Sequence, residues 1–536
     1  MTGTGAEVTG ERAGGVSSPS PGRLVRVGAN LVALSSVLFG KLLIGVGLRP
    51  APEGWRRTVG ILLRGESTRF ALSSFGLSVP ASDEAVNQLQ SPLEARIAKS
   101  LLEFLSHEPD AHFCLEWRRP VTLRRRTAFV DLVVLQFAEG GTLQGIVPHL
   151  AAEGPPSPPP EVQARARAAV VAAYNRTARL PEVARPRMLA RDVRSTLAGG
   201  DSSDALRFAE RLLVACCLSF ESLDAENPSQ RFCPPAFSTR RGLGRGYLSW
   251  IARANGTRDS VDLWVSAHHV GLDGVPLQDL LTRLERAWGF AETLVFPEPT
   301  GATAFAGPSP CHAPGERAVD QLITFVDLTP VVKLRRHLNL RYAADVGGEV
   351  TLGTLVAWLL SEEPEFRGVR IASTVDVAAS SGYERDVDVV SLRPADYAKG
   401  ETPWDGFVEF AREFNRMIFA ARARTSPVRV GMQTAGLIPA WAHAAVVRGN
   451  PASLDGAFGS LCVTIIRDAR VFIAPMTDLG LDHGFFAIGS VNLPSASGLR
   501  VTAVSIKGDA GRVEHYPAIL QRIIDRSALL AVSAID

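Results

Sequence analysis

The residues best placed to do chemistry lie mid-chain, in His268-His269-Val270-Gly271-Leu272-Asp273-Gly274. Four fixed positions of this kind arise by accident about once per thousand chains of ordinary composition. A histidine at the end of a strand can face a channel as a neutral imidazole near physiological pH. An aspartate four residues later can fix the loop by an ion pair or by accepting backbone N–H bonds, and Gly274 permits a sharp exit into a helix. The chemistry that fits is general-base catalysis by His269. Adjacent histidines rarely reach one metal together and no third ligand is near, so no metal site is expected. His268, Asp273 and Gly274 are expected to be structural, with the His268 side chain on the opposite side of the strand end.

The elements that must position this segment are legible on either side of it. Val261–Ala267 alternates apolar with other residues, as a half-buried strand does. Beyond Gly274, Val275, Leu277, Leu280, Leu281, Leu284 and Trp288 fall near one face at helical spacing. The order recurs near the end of the chain. Leu499–Ile506 reads as a strand, Lys507–Gly511 as a turn without histidines, and the following helix carries Ile519, Leu520, Ile523 and Ile524. This echo implies a duplication in which the second copy has lost the motif.

Residues 265–281, Val-Ser-Ala-His-His-Val-Gly-Leu-Asp-Gly-Val-Pro-Leu-Gln-Asp-Leu-Leu, resemble the active-site segment of the chloramphenicol acetyltransferases. They are also similar to the catalytic core of the dihydrolipoyl acyltransferases and to the condensation domains of peptide synthetases. The resemblance implies that His269 takes a proton from a hydroxyl, amine or thiol, which then attacks a thioester, and that Asp273 pairs with an arginine. Gly459–Ile465, Phe472–Pro475 and Phe485–Gly489 are similar to the stretch that supplies the oxyanion donor in those families, and the aligned position is Thr464. The resemblance covers about twenty residues around His269 and about thirty around Thr464. The lipoyl-lysine segment of the dihydrolipoyl enzymes and the asparagine-proline-glycine signature common in wax-ester synthase relatives are both missing from the sequence.

The fold class this implies is α/β, with two chloramphenicol-acetyltransferase-like lobes of mixed sheet plus helices forming a pseudo-dimer. The expected divisions are a disordered segment at 1–22, a first lobe at 23–295, a crossover at 296–317 and a second lobe at 318–536. The function implied is acyl transfer from a thioester, of coenzyme A or an acyl carrier protein, to a small-molecule hydroxyl or amine. Coenzyme A thioester enters as co-substrate and no permanently bound cofactor is expected. The competing readings are a condensation-type amide or ester synthase, and a binding or scaffold protein with a decayed site.

Other features bound the problem. The chain has 536 residues, 46% hydrophobic and 21% charged, with a net charge of +2. This is a globular composition with no global basic field, and nucleic acid is not an expected partner. Six cysteines, none in a C-x-x-C pair, read as reduced core thiols and suggest the cytoplasm. Arg118, Arg119, Arg124, Arg125 and Arg126 form a basic run that suits a solvated strand edge, or the phosphates of coenzyme A or an acidic carrier. Gly242–Gly246 has the wrong spacing for a nucleotide fingerprint and reads as a tight turn, and Asp482-His483-Gly484 as a loop. Pro-rich 154–160 is a spacer before a helix at Glu161–Arg176. Leu24–Leu48 is apolar but interrupted by Arg26, Asn30 and Lys41, too short a run to cross a bilayer, and reads as a helix on the body of the protein or in peripheral contact with a membrane.

Overall fold

The computed structural model describes residues 69–78, 93–118, 121–138, 141–178, 185–198, 203–222, 245–254, 260–268, 274–288, 304–306, 319–377, 386–397, 403–423, 460–465, 471–474, 483–489, 493–495, 497–509 and 512–533, with isolated positions elsewhere. The first half runs β1 (Arg69–Ser78), α1 (Leu93–His107), β2 (Phe113–Arg118), β3 (Val121–Arg126), β4 (Leu132–Phe137), β5 (Leu143–His149), α2 (Pro160–Thr177), α3 (Arg185–Leu197), α4 (Ser203–Val214), β6 (Cys216–Ser222), β7 (Leu248–Ala254), β8 (Ser260–His268) and α5 (Gly274–Trp288). The second runs β9 (Ala304–Ala306), β10 (Val319–Val326), α6 (Thr329–Tyr342), α7 (Leu352–Ser361), β11 (Ile371–Val377), β12 (Asp386–Leu392), α8 (Pro403–Arg422), β13 (Leu461–Ile465), β14 (Val471–Ala474), β15 (Gly484–Ile488), β16 (Leu493–Pro494), β17 (Arg500–Asp509) and α9 (Tyr516–Ser533).

Two mixed sheets organise these elements. One has the order β14-β1-β8-β7-β6-β4-β5, the other β12-β11-β13-β15-β17-β10-β9 with β16 beside β17. Their pairings repeat. From β1 to β5 the successive pairs are antiparallel, antiparallel, parallel, parallel and antiparallel. From β10 through β17, β15, β13 and β11 to β12 the same succession appears. The chain is therefore an α/β pseudo-dimer of two similarly wired lobes. In this correspondence β8 and α5 match β17 and α9, which is the echo read from the sequence. The second strand is longer than expected, because pairing with β10 carries it through Asp509, opposite Val319. Lys507, Gly508 and Asp509 are thus strand and not turn.

One strand crosses between the lobes. β14, drawn from the second half, pairs with β1 at the edge of the first sheet, with Ala71 opposite Ala474. β9, within the segment expected to cross between lobes, pairs with β10 at the edge of the second sheet.

Packing explains which residues form these elements. The first sheet has helices on both faces. α1 and α5 bury Ile97, Leu101, Leu105, Leu277, Leu280, Leu281 and Leu284 on one side. α2, α3 and α4 bury Val170, Tyr174, Leu189, Val193, Phe208 and Leu212 on the other. The second sheet has α6, α7, α8 and α9 on one face, around Trp358, Phe366, Phe407, Phe410 and Phe486. Its opposite face contributes Ala372, Val389, Cys462, Phe485 and Ala487 to the core of the first lobe. A strand buried on both sides needs apolar residues throughout, and β8 shows it: Val261, Leu263, Val265 and Ala267 on one face, Trp264 and Ser266 on the other, all buried.

One buried ion pair anchors the Pro-rich spacer. Arg211 on α4 donates from Nε to Asp131 Oδ2 at 2.6 Å and from Nη2 to Asp131 Oδ1 at 2.8 Å. Arg211 also donates to the carbonyls of Pro155 (2.5 Å) and Ala151 (3.3 Å), and Asp131 accepts from the Ala151 N–H at 2.8 Å. Pro160, with no N–H to lose, then opens α2.

The smaller expectations resolve in the same way. The Gly242–Gly246 segment approaches β6 so closely that a Cβ on Gly246 would lie 2.4 Å from the Ala215 carbonyl oxygen. His483 is a turn residue whose N–H bonds to Ser460 O at 2.8 Å and whose carbonyl accepts from Tyr516 Oη at 2.6 Å. Gly484 follows at φ +107° as the first residue of β15, a backbone region that favours glycine. Cys114, Cys216, Cys217 and Cys462 are buried and joined in no disulfide; Cys233 and Cys311 lie outside the described residues.

Candidate active site

The strand and helix around the histidine motif are both in place. β8 ends at His268, whose backbone is opposite Arg69 of β1. α5 begins at Gly274. His269 and Asp273 lie between them, outside the described residues. Two features hold the frame. α5 lies along β1, and its apolar stripe is buried in the core shared with β8 and α1. On the far side of that helix, Arg283 donates to Glu108 at 2.9 Å and to Asp110 at 3.4 Å, tying α5 to the turn after α1. A charge ladder crosses the same sheet one strand pair further in. Glu221, Arg253 and Asp262 are successive register partners on β6, β7 and β8, and the Arg253–Glu221 contact is 2.7 Å.

Thr464 is on β13 in the second lobe, opposite Ala487 of β15. Alternation along the strand decides where it faces. Leu461 and Val463 join the helix-covered core of the second lobe. Ile465 packs against that core, and a Cβ on Gly353 at the start of α7 would lie 3.6 Å from its Cγ1. Cys462 and Thr464 therefore share the other face, and Cys462 belongs to the core of the first lobe. That same core includes Val265 and Ala267, the last inward-facing residues of β8 before His269.

Thr464 has a partner that the sequence did not reveal. Its Oγ1 is in a short hydrogen bond with Thr374 Oγ1 of β11. Ser373, the neighbour of Thr374, faces α7, where a Cβ on Gly353 would come within 3.2 Å of its Oγ, so Thr374 turns with Thr464 toward the first lobe. If Thr374 donates, Thr464 keeps its own proton for an acceptor beyond the pair, and the chain of two hydroxyls polarises that donor. No motif marks Thr374. It comes next to Thr464 only through the parallel pairing of β11 with β13, ninety positions apart in sequence.

Cys462, on the same face of β13, is buried, and Thr464 is half-buried. Burial pushes the Cys462 thiol up to about 12. Arg125 and Arg126 of the basic run are exposed on the β2–β3 hairpin. The hairpin is separate from both large sheets and is tied down by Leu115 N to Arg245 O at 3.1 Å. Among the described residues, no group of three or more His, Cys, Asp or Glu could hold a metal ion.

No family model matches the sequence, and a search of curated proteins finds no match. Solved structures give matches at low identity. The wax ester synthase/diacylglycerol acyltransferase from Marinobacter aquaeolei VT8 is 12% identical, with a TM-score of 0.39 over 91% of this chain and 100% of its own. The trichothecene 15-O-acetyltransferase TRI3 from Fusarium sporotrichioides is 10% identical, with a TM-score of 0.43 over 90% of this chain and 94% of its own. The nonribosomal peptide synthetase FmoA3 is 12% identical, with a TM-score of 0.40 over 90% of this chain and 45% of its own.

Proposed function

We propose that this protein transfers an acyl group from a thioester, of coenzyme A or a carrier protein, to a hydroxyl or amine. His269 is the general base: its free imidazole nitrogen takes the proton of the acceptor as that group attacks the thioester carbonyl. The carbonyl oxygen becomes an oxyanion, to which the Thr464 hydroxyl donates a hydrogen bond. Collapse of the tetrahedral intermediate breaks the carbon–sulfur bond, and the departing thiolate takes the proton from the imidazolium. The lobes are 23–295 and 318–536, joined through 296–317, and the thioester is consumed as a substrate.

The observation that supports this reading is the shared core between the lobes. The strand that leads into the histidine motif and the strand that carries Thr464 both turn toward it, through Val265 and Ala267 on one side and Cys462 on the other. A base from one lobe and an anion-stabilising hydroxyl from the other would then meet a substrate between them. The test is product detection by mass spectrometry. Purified protein is incubated with acyl-CoA of graded chain length, or with acylated carrier protein, and with a pool of alcohols and amines. The reading expects a new ester or amide together with stoichiometric free thiol. Intact thioester with every donor and acceptor would overturn it and leave a binding protein.

A further inference from the structure

We infer that Gln278 is a donor-binding residue, its side-chain amide pairing with an amide of the pantetheine arm that coenzyme A and carrier proteins share. The inference rests on the proposed acyl transfer. Gln278 lies in α5, four residues past Gly274, with which the helix opens. Leu277 and Leu281, its neighbours on the helix, belong to the core that also holds Cys462 and Ala487 of the second lobe. Gln278 itself is only 9% exposed. A long polar side chain is seldom buried this far unless it is hydrogen-bonded. Its backbone carbonyl accepts from Thr282 Oγ1 at 3.0 Å, yet its side-chain amide has no hydrogen bond among the described residues. On the same helix Thr282 and Arg283 both have partners. A buried amide left unpaired costs free energy that a methionine or leucine here would not. Those residues suit a helix as well as glutamine does, so helix formation does not account for the choice. A ligand that completes the amide does.

The chemistry of the side chain selects the ligand. A carboxamide offers N–H donors on one side and a carbonyl acceptor on the other. A secondary amide, with one N–H and one C=O, is its complement. The phosphates of coenzyme A would call for a cation instead. Position selects which amide. The Cα–Cβ bonds of a helix tilt toward its N-terminus, so the Gln278 side chain leans to the end at which α5 receives the chain from β8 and the histidine motif. On the proposed reaction the thioester is held at that end. The pantetheine amide nearest the sulfur is then the one that Gln278 meets.

The test compares thioester donors with and without that amide, in the full-length wild type and in Gln278→Met. The donors are acyl-CoA, the S-acyl-N-acetylcysteamine, which keeps only the amide nearest the sulfur, and the S-acyl propanethiol, which has none. Wild type should prefer the two amide-bearing donors in kcat/KM. Gln278→Met should narrow that preference by roughly tenfold, mostly through KM, because methionine matches glutamine in size and removes only the amide. Its melting temperature should not fall, since the amide it loses has no partner in the folded protein. A preference that is unchanged in Gln278→Met overturns the inference while leaving the acyl transfer in place. Losses that are equal for all three donors overturn it too, as does a melting temperature lowered by more than about 2 °C, which would give the amide a structural role. Wild-type protein that turns over none of the donors overturns the proposed acyl transfer, and this inference with it.

Discussion

Replacing Arg211 with methionine should destabilise the first lobe severely, and the structure sets the scale. The guanidinium and the Asp131 carboxylate are 7% and 2% exposed and joined by two charge-assisted bonds of 2.6 and 2.8 Å. Arg211→Met removes both, and with them the bonds to Pro155 O and Ala151 O and the cation–π contact with Phe129 at 4.9 Å. Asp131 is left buried with the Ala151 N–H as its remaining described donor. Stranding one member of a buried pair costs about 3–5 kcal/mol. For a folding unit of this size each kcal/mol lowers the melting temperature by roughly 2–4 °C, so a drop of about 6–20 °C is expected. The assay is calorimetry on Arg211→Met, Asp131→Asn and the double variant, with limited proteolysis of the 151–159 loop. The double variant should recover much of the loss, because no unpaired charge remains in it. A shift under about 2 °C for Arg211→Met, or two single effects that simply add, would refute the reasoning.

Other outcomes follow from the same contacts. Gly246→Ala should lower the urea midpoint of unfolding by the equivalent of about 1–3 kcal/mol, since its Cβ would meet the Ala215 carbonyl oxygen at 2.4 Å and backbone must move. Cys216 and Cys462, both pushed up to about 12 by burial, should resist alkylation in the native protein at pH 8–9 and react once it is unfolded. The sign of the linked stability follows. The unfolded thiols ionise near pH 8.5, as unperturbed cysteines do, whereas the folded ones hold their protons. Their contribution is therefore full below that pH and declines as pH rises toward 12; urea titrations across this range check it. Thr464→Val should lower kcat about a hundredfold or more with little change in KM, and Thr464→Ser should restore most of it. Thr374→Val, which removes one neutral hydrogen bond to Thr464, should cost roughly three- to tenfold. Equal losses from both valine variants would make the pair structural.

The sequence foretold those parts of the fold that local periodicity controls. The inward face of α5 was readable because Leu277, Leu280, Leu281 and Leu284 recur at helical spacing, and all four are buried. The duplication was readable in outline because a strand and an amphipathic helix repeat at 499–524. The end of that strand was misjudged: Lys507–Asp509 look like turn residues, and only their pairing with Val319–Gln321 keeps them extended. Long-range pairing was invisible for the same reason. Nothing local in Val471–Ala474 says that it joins a sheet built four hundred residues earlier, and nothing in Thr374 says that it will meet Thr464. The Asp131–Arg211 pair, eighty residues apart, is a third case. Thr464 is singled out by resemblance alone, and the alternation of β13 supplies the reason it turns toward the first lobe.

The central claim is that a histidine from one lobe and a threonine from the other act on one thioester. The most direct test is kcat/KM for acceptor-dependent thiol release in wild type, His269→Ala, Thr464→Val and the double variant, with circular dichroism confirming that each is folded. The account predicts a loss of at least about a hundredfold for His269→Ala and a double variant little worse than the single one, as for groups that act as a unit. Wild-type turnover in folded His269→Ala would contradict it.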